Sequence, residues 1–179
     1  MNHIKQFRIL AVFLSTRGFG YAVMEGENTL IDYGNKVVQK DKNVHSLAQI
    51  QKVIRQNQPD VLVLLDVMAK GVHRAQRIKE LHLEVVALSI KRKLKVVTIG
   101  ATGVRSRLLG ELVGSKHEMA ELLARRFPDE LASRLPPKRR TWESEDARMD
   151  IFEAVALAVV FRMKGKIIPV RGRLLTDRE

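Results

Sequence analysis

The sequence predicts an α/β fold in which a mixed central sheet, an antiparallel three-stranded meander plus parallel strands, is flanked by helices. Short apolar runs separated by glycine turns open the chain. A continuous apolar strand follows the first stretch of helical periodicity, and further helical stretches then surround one more strand. This order, βββαβαβα with additional late helices, is not that of a helical bundle or a closed barrel.

The predicted strands are short and largely apolar. Gly18 and the run Gly26-Glu27-Asn28 supply the turns that separate the first three strands into a meander. Val61 to Leu65 is apolar throughout, which is typical of a parallel strand buried on both faces. The predicted strands are Arg8 to Leu14, Gly20 to Glu25, Thr29 to Val38, Val61 to Leu65 and Lys95 to Ile99.

Helical spacing of apolar residues predicts the helices, the first of which ends at Asn57-Gln58-Pro59. Two segments are expected to lack regular structure: Pro128 to Trp142, which contains a proline pair and a basic run, and the basic tail 169–179. Residues 1–168 are expected to form one domain. The predicted helices run from about Asn43 to Gln56, His73 to Lys91, Val104 to Leu112, Lys116 to Phe127 and Arg148 to Met163.

The chain is strongly basic, with a net charge of +12 over 179 residues. Such a charge favours an anionic polymer as partner, and nucleic acid over membrane, because the apolar stretches are too short to span a bilayer. A cytoplasmic location is expected, since the N-terminus lacks the pattern of a signal peptide. Cysteine is absent, so disulfides, thiolate metal sites and cysteine nucleophiles are excluded.

Other common site types find no support in the sequence. The glycine turn Gly100-Ala101-Thr102-Gly103 is not followed by Gly-Lys-Ser/Thr, so a nucleotide-binding P-loop is not indicated. The five histidines show no paired ligand spacing. Any metal ion would therefore be held mainly by carboxylates.

Several segments of the chain, taken in order, form a recognisable pattern. They are Ile9 to Val23 with Arg17, Gly20 and Tyr21, Pro59-Asp60, Met68-Ala69-Lys70, Thr102-Gly103-Val104, Gly114-Ser115-Lys116 and Asp150 to Ala158. These segments resemble those of the RuvC-type Holliday junction resolvases, whose fold is RNase H-like. The similarity extends over about residues 8 to 163, and the fold it implies agrees with the element order.

The resemblance implies cleavage of phosphodiester bonds with two Mg²⁺ or Mn²⁺ ions, which converging carboxylates hold roughly 3.5–4 Å apart. The aspartate that the family places on its first strand corresponds to Phe13, and the glutamate of its fourth strand corresponds to Leu65. Asp66 could replace that glutamate only if the strand bulges or has already ended. The implied catalytic residues are Asp66, Lys116, Asp150 and Glu153, and the implied metal ligands are Asp66, Asp146, Asp150 and Glu153.

Each of these residues also has a purely structural interpretation. Asp146, Asp150 and Glu153 are spaced to share one helix face, but acids in a first helical turn also cap it and offset its dipole. Lys116 stands beside acidic residues at a predicted helix start, where a solvated surface lysine is equally expected. The sequence leaves both interpretations open.

Basic runs predict contacts with nucleic-acid phosphates. Trp142 directly follows one such run and could stack on an exposed base, although a core position covering the last helix is the more typical expectation. The predicted nucleic-acid-binding residues are Arg17, Arg105, Arg107, Lys138, Arg139 and Arg140.

Three functions remain open at this point. The first is a RuvC-like protein that binds branched or structured DNA but has lost, or nearly lost, metal-dependent cleavage. The second is an active Mg²⁺-dependent nuclease that uses a rearranged carboxylate set. The third is a protein-interaction scaffold whose basic surface meets an acidic partner. The resemblance also implies a homodimer.

Overall fold

A computed structural model describes residues 6–110 and 114–163 of the chain. All the predicted strands form, and together they make one five-stranded sheet in the order β3-β2-β1-β4-β5. The first three strands pair antiparallel, while β4 pairs parallel with both β1 and β5. The strands are β1 Arg8–Leu14, β2 Gly18–Glu25, β3 Thr29–Val37, β4 Val61–Leu65 and β5 Lys95–Ile99.

Helices cover both faces of this sheet. One face packs on α1 and α2 and the other on α3 to α6, so the apolar side chains form two separate cores. None of the helices in the described ranges is long and apolar enough to cross a membrane. The helices are α1 Lys42–Asn57, α2 Gln76–Lys91, α3 Ala101–Leu109, α4 Lys116–Arg126, α5 Pro128–Leu131 and α6 Met149–Met163.

The alternation of side chains along β1 and β4 decides which residues reach each core. Leu14 and Leu64 point to the core under α1 and α2, whereas Phe13 and Leu65 point to the core under α6. Phe13 of β1 and Leu65 of β4, the residues near the strand ends that face α6, are therefore both apolar.

Helix α6 lies on the sheet at backbone contact distance. Gly20 is paired with Phe13 across β1 and β2, and a Cβ atom at Gly20 would lie 2.0 Å from the Asp150 carbonyl oxygen. Only glycine permits so close an approach of strand and helix. The first turn of α6 is thereby fixed beside the carboxyl end of β1.

The expectation of an irregular segment from Pro128 to Trp142 was wrong in its first half. Pro128 occupies the first turn of α5, where its missing N–H costs nothing, and a 3₁₀ turn, Ala132–Arg134, continues the chain. Leu131 is fully buried, so packing holds this short element in place. The proline pair that follows lies in irregular structure, as expected.

Two other predicted boundaries fall outside the described ranges. Helix α3 begins earlier than expected and ends at Leu109, and its predicted last residues, 111 and 112, are not among those described. The predicted basic tail, 169–179, also lies outside them.

Candidate functional site

Asp150 and Glu153 both face into the protein from the start of α6. Asp150 is buried, and the Ser15 hydroxyl donates a hydrogen bond of 2.6 Å to its Oδ2. The side chain of Glu153 is 12% exposed. The interpretation of these acids as a solvated first turn is therefore wrong, because both point toward the end of β1.

Lys116 connects this acidic pair to the loop before α6. A capping box between Ser115 and Glu118 fixes the start of α4, which places Lys116 at its first position. The Lys116 Nζ lies 3.1 Å from Glu145 Oε2 and 3.3 Å from Glu153 Oε1. Lys116 is thus ion-paired with two carboxylates rather than free on a solvated helix face.

The two apolar residues noted in the sequence meet at this site. Phe13 and Leu65 line a small cavity of about 60 Å³ together with Glu153 and Lys116. The Arg74 guanidinium carbon lies 5.4 Å from the centroid of the Phe13 ring, within the range of a cation–π contact. The cavity is therefore walled by aromatic, aliphatic and cationic groups, with one carboxylate among them.

Asp66 does not join this group. Strand β4 ends at Leu65, and Asp66 follows it on the side of α2, where its charge acts on His82. The Asp66 Oδ1 accepts a hydrogen bond of 3.0 Å from the Met68 backbone N–H. The conditional expectation that Asp66 could replace the missing glutamate does not hold in this geometry.

Asp146 is also separate from the acidic pair. It precedes α6 instead of belonging to it, and its carboxylate accepts hydrogen bonds from the Arg148 backbone and side chain, the nearest at 2.7 Å. This pairing lowers the pKa of Asp146. The expected shared helix face of three acids is thus wrong, because the helix begins after the first of them.

The carboxylates of the described residues do not assemble a metal centre. Across residues 6–110 and 114–163, no three His, Cys, Asp or Glu side chains are grouped so that they could hold an ion. Asp150 and Glu153 remain together, but the nearest partner of Glu153 is an ammonium group. Two carboxylates, one of them already neutralised, do not fit a two-metal site.

Burial raises the pKa of Asp150 from 3.8 to about 6. The Ser15 hydrogen bond and the charges of Arg17 and Lys116 lower it, while the charge of Glu145 adds to the rise. The folded protein therefore binds this proton more tightly than the unfolded chain does. Its contribution to stability is lost as the pH rises through the range from 3.8 to about 6.

We expect Asp150→Asn to stabilise the protein above this range, because asparagine keeps an acceptor for Ser15 but carries no charge. The free energy of unfolding should rise by about 2 to 3 kcal/mol at about pH 8 and change little below about pH 4. Urea unfolding at both pH values measures this, with Glu84→Gln on the exposed side of α2 as control. A loss of stability at high pH would show that the charged carboxylate is the favoured form.

A basic cleft opens beside the acidic pair. Its volume is about 1020 Å³, and it lies between the β1–β2 turn, the start of α4 and the segment that precedes α6. Arg17 is anchored there, since its guanidinium donates to the backbone carbonyl of Glu145. The cationic residues that line the cleft are Arg17, Arg105, Lys116, Lys138 and Arg139.

The structure thus gathers four of the predicted nucleic-acid-binding residues on one surface, namely Arg17, Arg105, Lys138 and Arg139. Arg107 is exposed on α3 and Arg140 lies next to Trp142, and neither lines the cleft wall. Three acidic residues, Glu143, Glu145 and Asp146, also line the cleft. Among the described residues of the lining, the lysines and arginines therefore outnumber the acidic residues. The binding role of these residues remains a prediction.

Trp142 is not a core residue, contrary to the expectation from sequence. It is 76% exposed and lies in the turn that follows the basic run. The proximity of α6 in the sequence suggested a covering role, but the last helix is already covered by the sheet and by α3 and α4.

Three site residues were not identified from the sequence. Ser15 holds Asp150, Arg74 covers Phe13, and Glu145 pairs with Lys116. Each contact joins segments far apart in the chain, so no local spacing predicts it. The useful sequence signal is that Ser15 follows the last residue of β1 and stands two positions after Phe13, a spacing that favours the same side of the sheet.

Comparison with known proteins identifies the fold. No protein-family model matches the chain. No curated protein matches it either. Solved structures do match: Thermus thermophilus RuvC has a TM-score of 0.66 at 14% identity and covers 92% of this chain and 100% of its own.

Two further structures are similar. T. thermophilus RuvC in complex with a Holliday junction substrate has a TM-score of 0.66 at 13% identity, with 92% of this chain and 99% of that chain covered. The yeast mitochondrial Holliday junction resolvase Ydc2 has a TM-score of 0.61 at 14% identity, with 88% and 78% covered. These similarities confirm the predicted α/β RNase H-like fold.

Proposed function

We propose that this chain is a RuvC-like protein that binds branched DNA in its basic cleft and does not cleave it with metal ions. The observation that carries the proposal is the shared cavity of Phe13, Leu65, Glu153 and Lys116. Two apolar side chains, Phe13 and Leu65, stand there at positions where the resemblance implies metal-binding carboxylates.

The charge of the cleft supports binding. Its exposed cations are spread over separate elements, Arg105 on α3 and Lys138 and Arg139 on the segment before α6. A broad surface of this kind suits the phosphates of more than one strand, and binding through phosphates weakens steeply with added salt. One similar structure is a complex with a Holliday junction substrate. The proposal extends to a homodimer, because a four-way junction presents two equivalent halves.

The loss of cleavage is supported by the chemistry of the donor groups. Two-metal catalysis needs several carboxylates to hold the ions that activate water and stabilise the leaving oxygen. In this chain Asp66 lies on the opposite sheet face and Asp146 is paired with Arg148. Mg²⁺ and Mn²⁺ therefore have no role in the proposed function.

Incubation with a labelled four-way DNA junction tests the proposal. We expect the purified protein to shift the junction on a native gel at low salt, to release it as salt is raised, and to leave it intact in Mg²⁺ or Mn²⁺. A catalytically active junction resolvase run in parallel shows that the assay detects cleavage.

Two results would favour the other functions. Cleavage that Asp150→Asn abolishes would indicate an active nuclease with a rearranged carboxylate set. Failure to bind any DNA or RNA at low salt would reject nucleic-acid binding and leave the protein-interaction scaffold as the explanation of the basic surface.

A further inference from the structure

Trp142 is held outward by a closed turn. The Glu143 backbone N–H donates to the Arg140 carbonyl oxygen at 3.1 Å, and the Arg140 N–H donates to Glu143 Oε2 at 3.0 Å. This pair of hydrogen bonds closes the turn from both ends, with Trp142 inside it. The indole is therefore presented on a structured turn.

Arg140 supports the indole ring. Its guanidinium carbon lies 5.7 Å from the ring centroid, a cation–π distance. Because Trp142 is 76% exposed, this contact leaves much of the ring open to a further flat partner. A guanidinium beside an aromatic ring is a favourable surface for a nucleobase, since both groups stack on bases.

The turn stands at the rim of the basic cleft. Arg139, which precedes the turn, and Glu143, its last residue, line the cleft wall, as does Lys138. Phosphates held by these cations would bring the adjoining bases of the same strand within reach of Trp142. Bases inside a duplex have both faces covered, so only an unpaired base can offer a face to the ring.

We propose that Trp142 and Arg140 form a stacking platform for an unpaired nucleobase at the rim of the cleft. This inference rests on the proposed DNA-binding function and specifies the ligand more closely: the strand that the cleft holds contains bases free of pairing. The apolar ring and the adjacent guanidinium favour a base over an acidic protein segment, which offers no flat face to stack.

The fluorescence of Trp142 measures stacking directly, because it is the one tryptophan in the chain. The probes are a fully paired DNA duplex and the same duplex with an internal stretch of unpaired thymines, each added until anisotropy of a terminal dye shows saturation. We expect the unpaired stretch to quench the tryptophan emission and the paired duplex to leave it nearly unchanged.

Substitution separates stacking from charge. Trp142→Leu should weaken binding to the DNA with unpaired bases by roughly 10-fold and leave duplex binding unchanged, and Trp142→Phe should restore most of the loss. Phe7→Leu is the matched control, because Phe7 is also an exposed ring beside an arginine, Arg162, but lies at the other end of α6. It should bind both probes as the parent does.

Equal binding of both probes by the parent and by Trp142→Leu, with no quenching, would overturn the stacking platform and leave the proposed function standing. Absence of binding to both probes would overturn the stacking platform, and it would overturn the proposed function as well only if the four-way junction is not bound either. Quenching of Trp142 by an acidic protein, with none by unpaired DNA, would instead assign the platform to a protein partner and reject the inference.

Discussion

The double substitution Phe13→Asp/Leu65→Glu is expected to make the stability of this protein depend on Mn²⁺ or Mg²⁺. Both side chains are almost fully buried, with 4% and 7% exposure, and they share one cavity with Glu153. Without a metal, two buried carboxylates beside an existing one repel each other, and the packing of the Phe13 ring is lost. We expect the free energy of unfolding to fall by more than about 4 kcal/mol.

A divalent ion should recover part of this loss, because an ion that binds only the folded state stabilises it by mass action. Thermal unfolding in Mn²⁺ and in chelator measures the recovery. Phe13→Asn/Leu65→Gln is the matched control: it introduces side chains of the same size as the acids without their charge, so it should lose stability and show no response to metal.

The outcome bears directly on the proposed loss of cleavage. Recovery by Mn²⁺ in the acidic variant alone would show that the backbone around the cavity still has the spacing of a metal site and that Phe13 and Leu65 are what remove it. A metal response in the parent protein would contradict the proposed loss. An acidic variant that Mn²⁺ leaves unchanged would show that Asp150 and Glu153 cannot converge with the new acids.

The second large effect is expected from reversing charge on the cleft wall. Lys138 and Arg139 are both exposed and line the cleft, so Lys138→Glu/Arg139→Glu should leave the fold intact. Two cations become two anions near the phosphates, and junction affinity should fall roughly 100- to 1000-fold at low salt. Anisotropy titration of a labelled junction measures this.

Lys91→Glu/Arg92→Glu is the control for total charge. It changes the net charge by the same amount at exposed positions around the end of α2, which lies at the opposite end of the parallel strands from the cleft. We expect it to weaken binding by less than about 10-fold. Similar losses for the two variants would show that overall charge, and not the cleft, attracts DNA.

The fold was predictable because its signals are local. Val61 to Leu65 is apolar at every position, and the structure buries it between two helical layers. The failure at Pro128 has a physical reason: α5 has four residues, too few for a periodic pattern, and its position depends on Leu131 fitting the core.

The candidate site was predictable in part, because the resemblance implied Lys116 and Glu153 and the structure places their charged atoms 3.3 Å apart. Phe13 and Leu65 face one core because of the pairing register of β1 and β4, which the period of two within a single strand does not reveal. The ion pairs of Lys116 with Glu145 and Glu153 join three elements that are distant in sequence. Such contacts depend on tertiary packing, which no spacing in the chain reveals.

The two ion pairs of Lys116 also mean that the acidic side chains of this pocket have a cationic partner without a bound metal ion. A metal ion occupies a site according to its free concentration, so a chelator or a shortage of metal empties it. An ammonium that belongs to the polypeptide chain is never diluted away. The ion pairing of Glu145 and Glu153 with Lys116 is therefore intramolecular, and the architecture around the start of α6 should hold equally well in metal-replete and metal-starved cells.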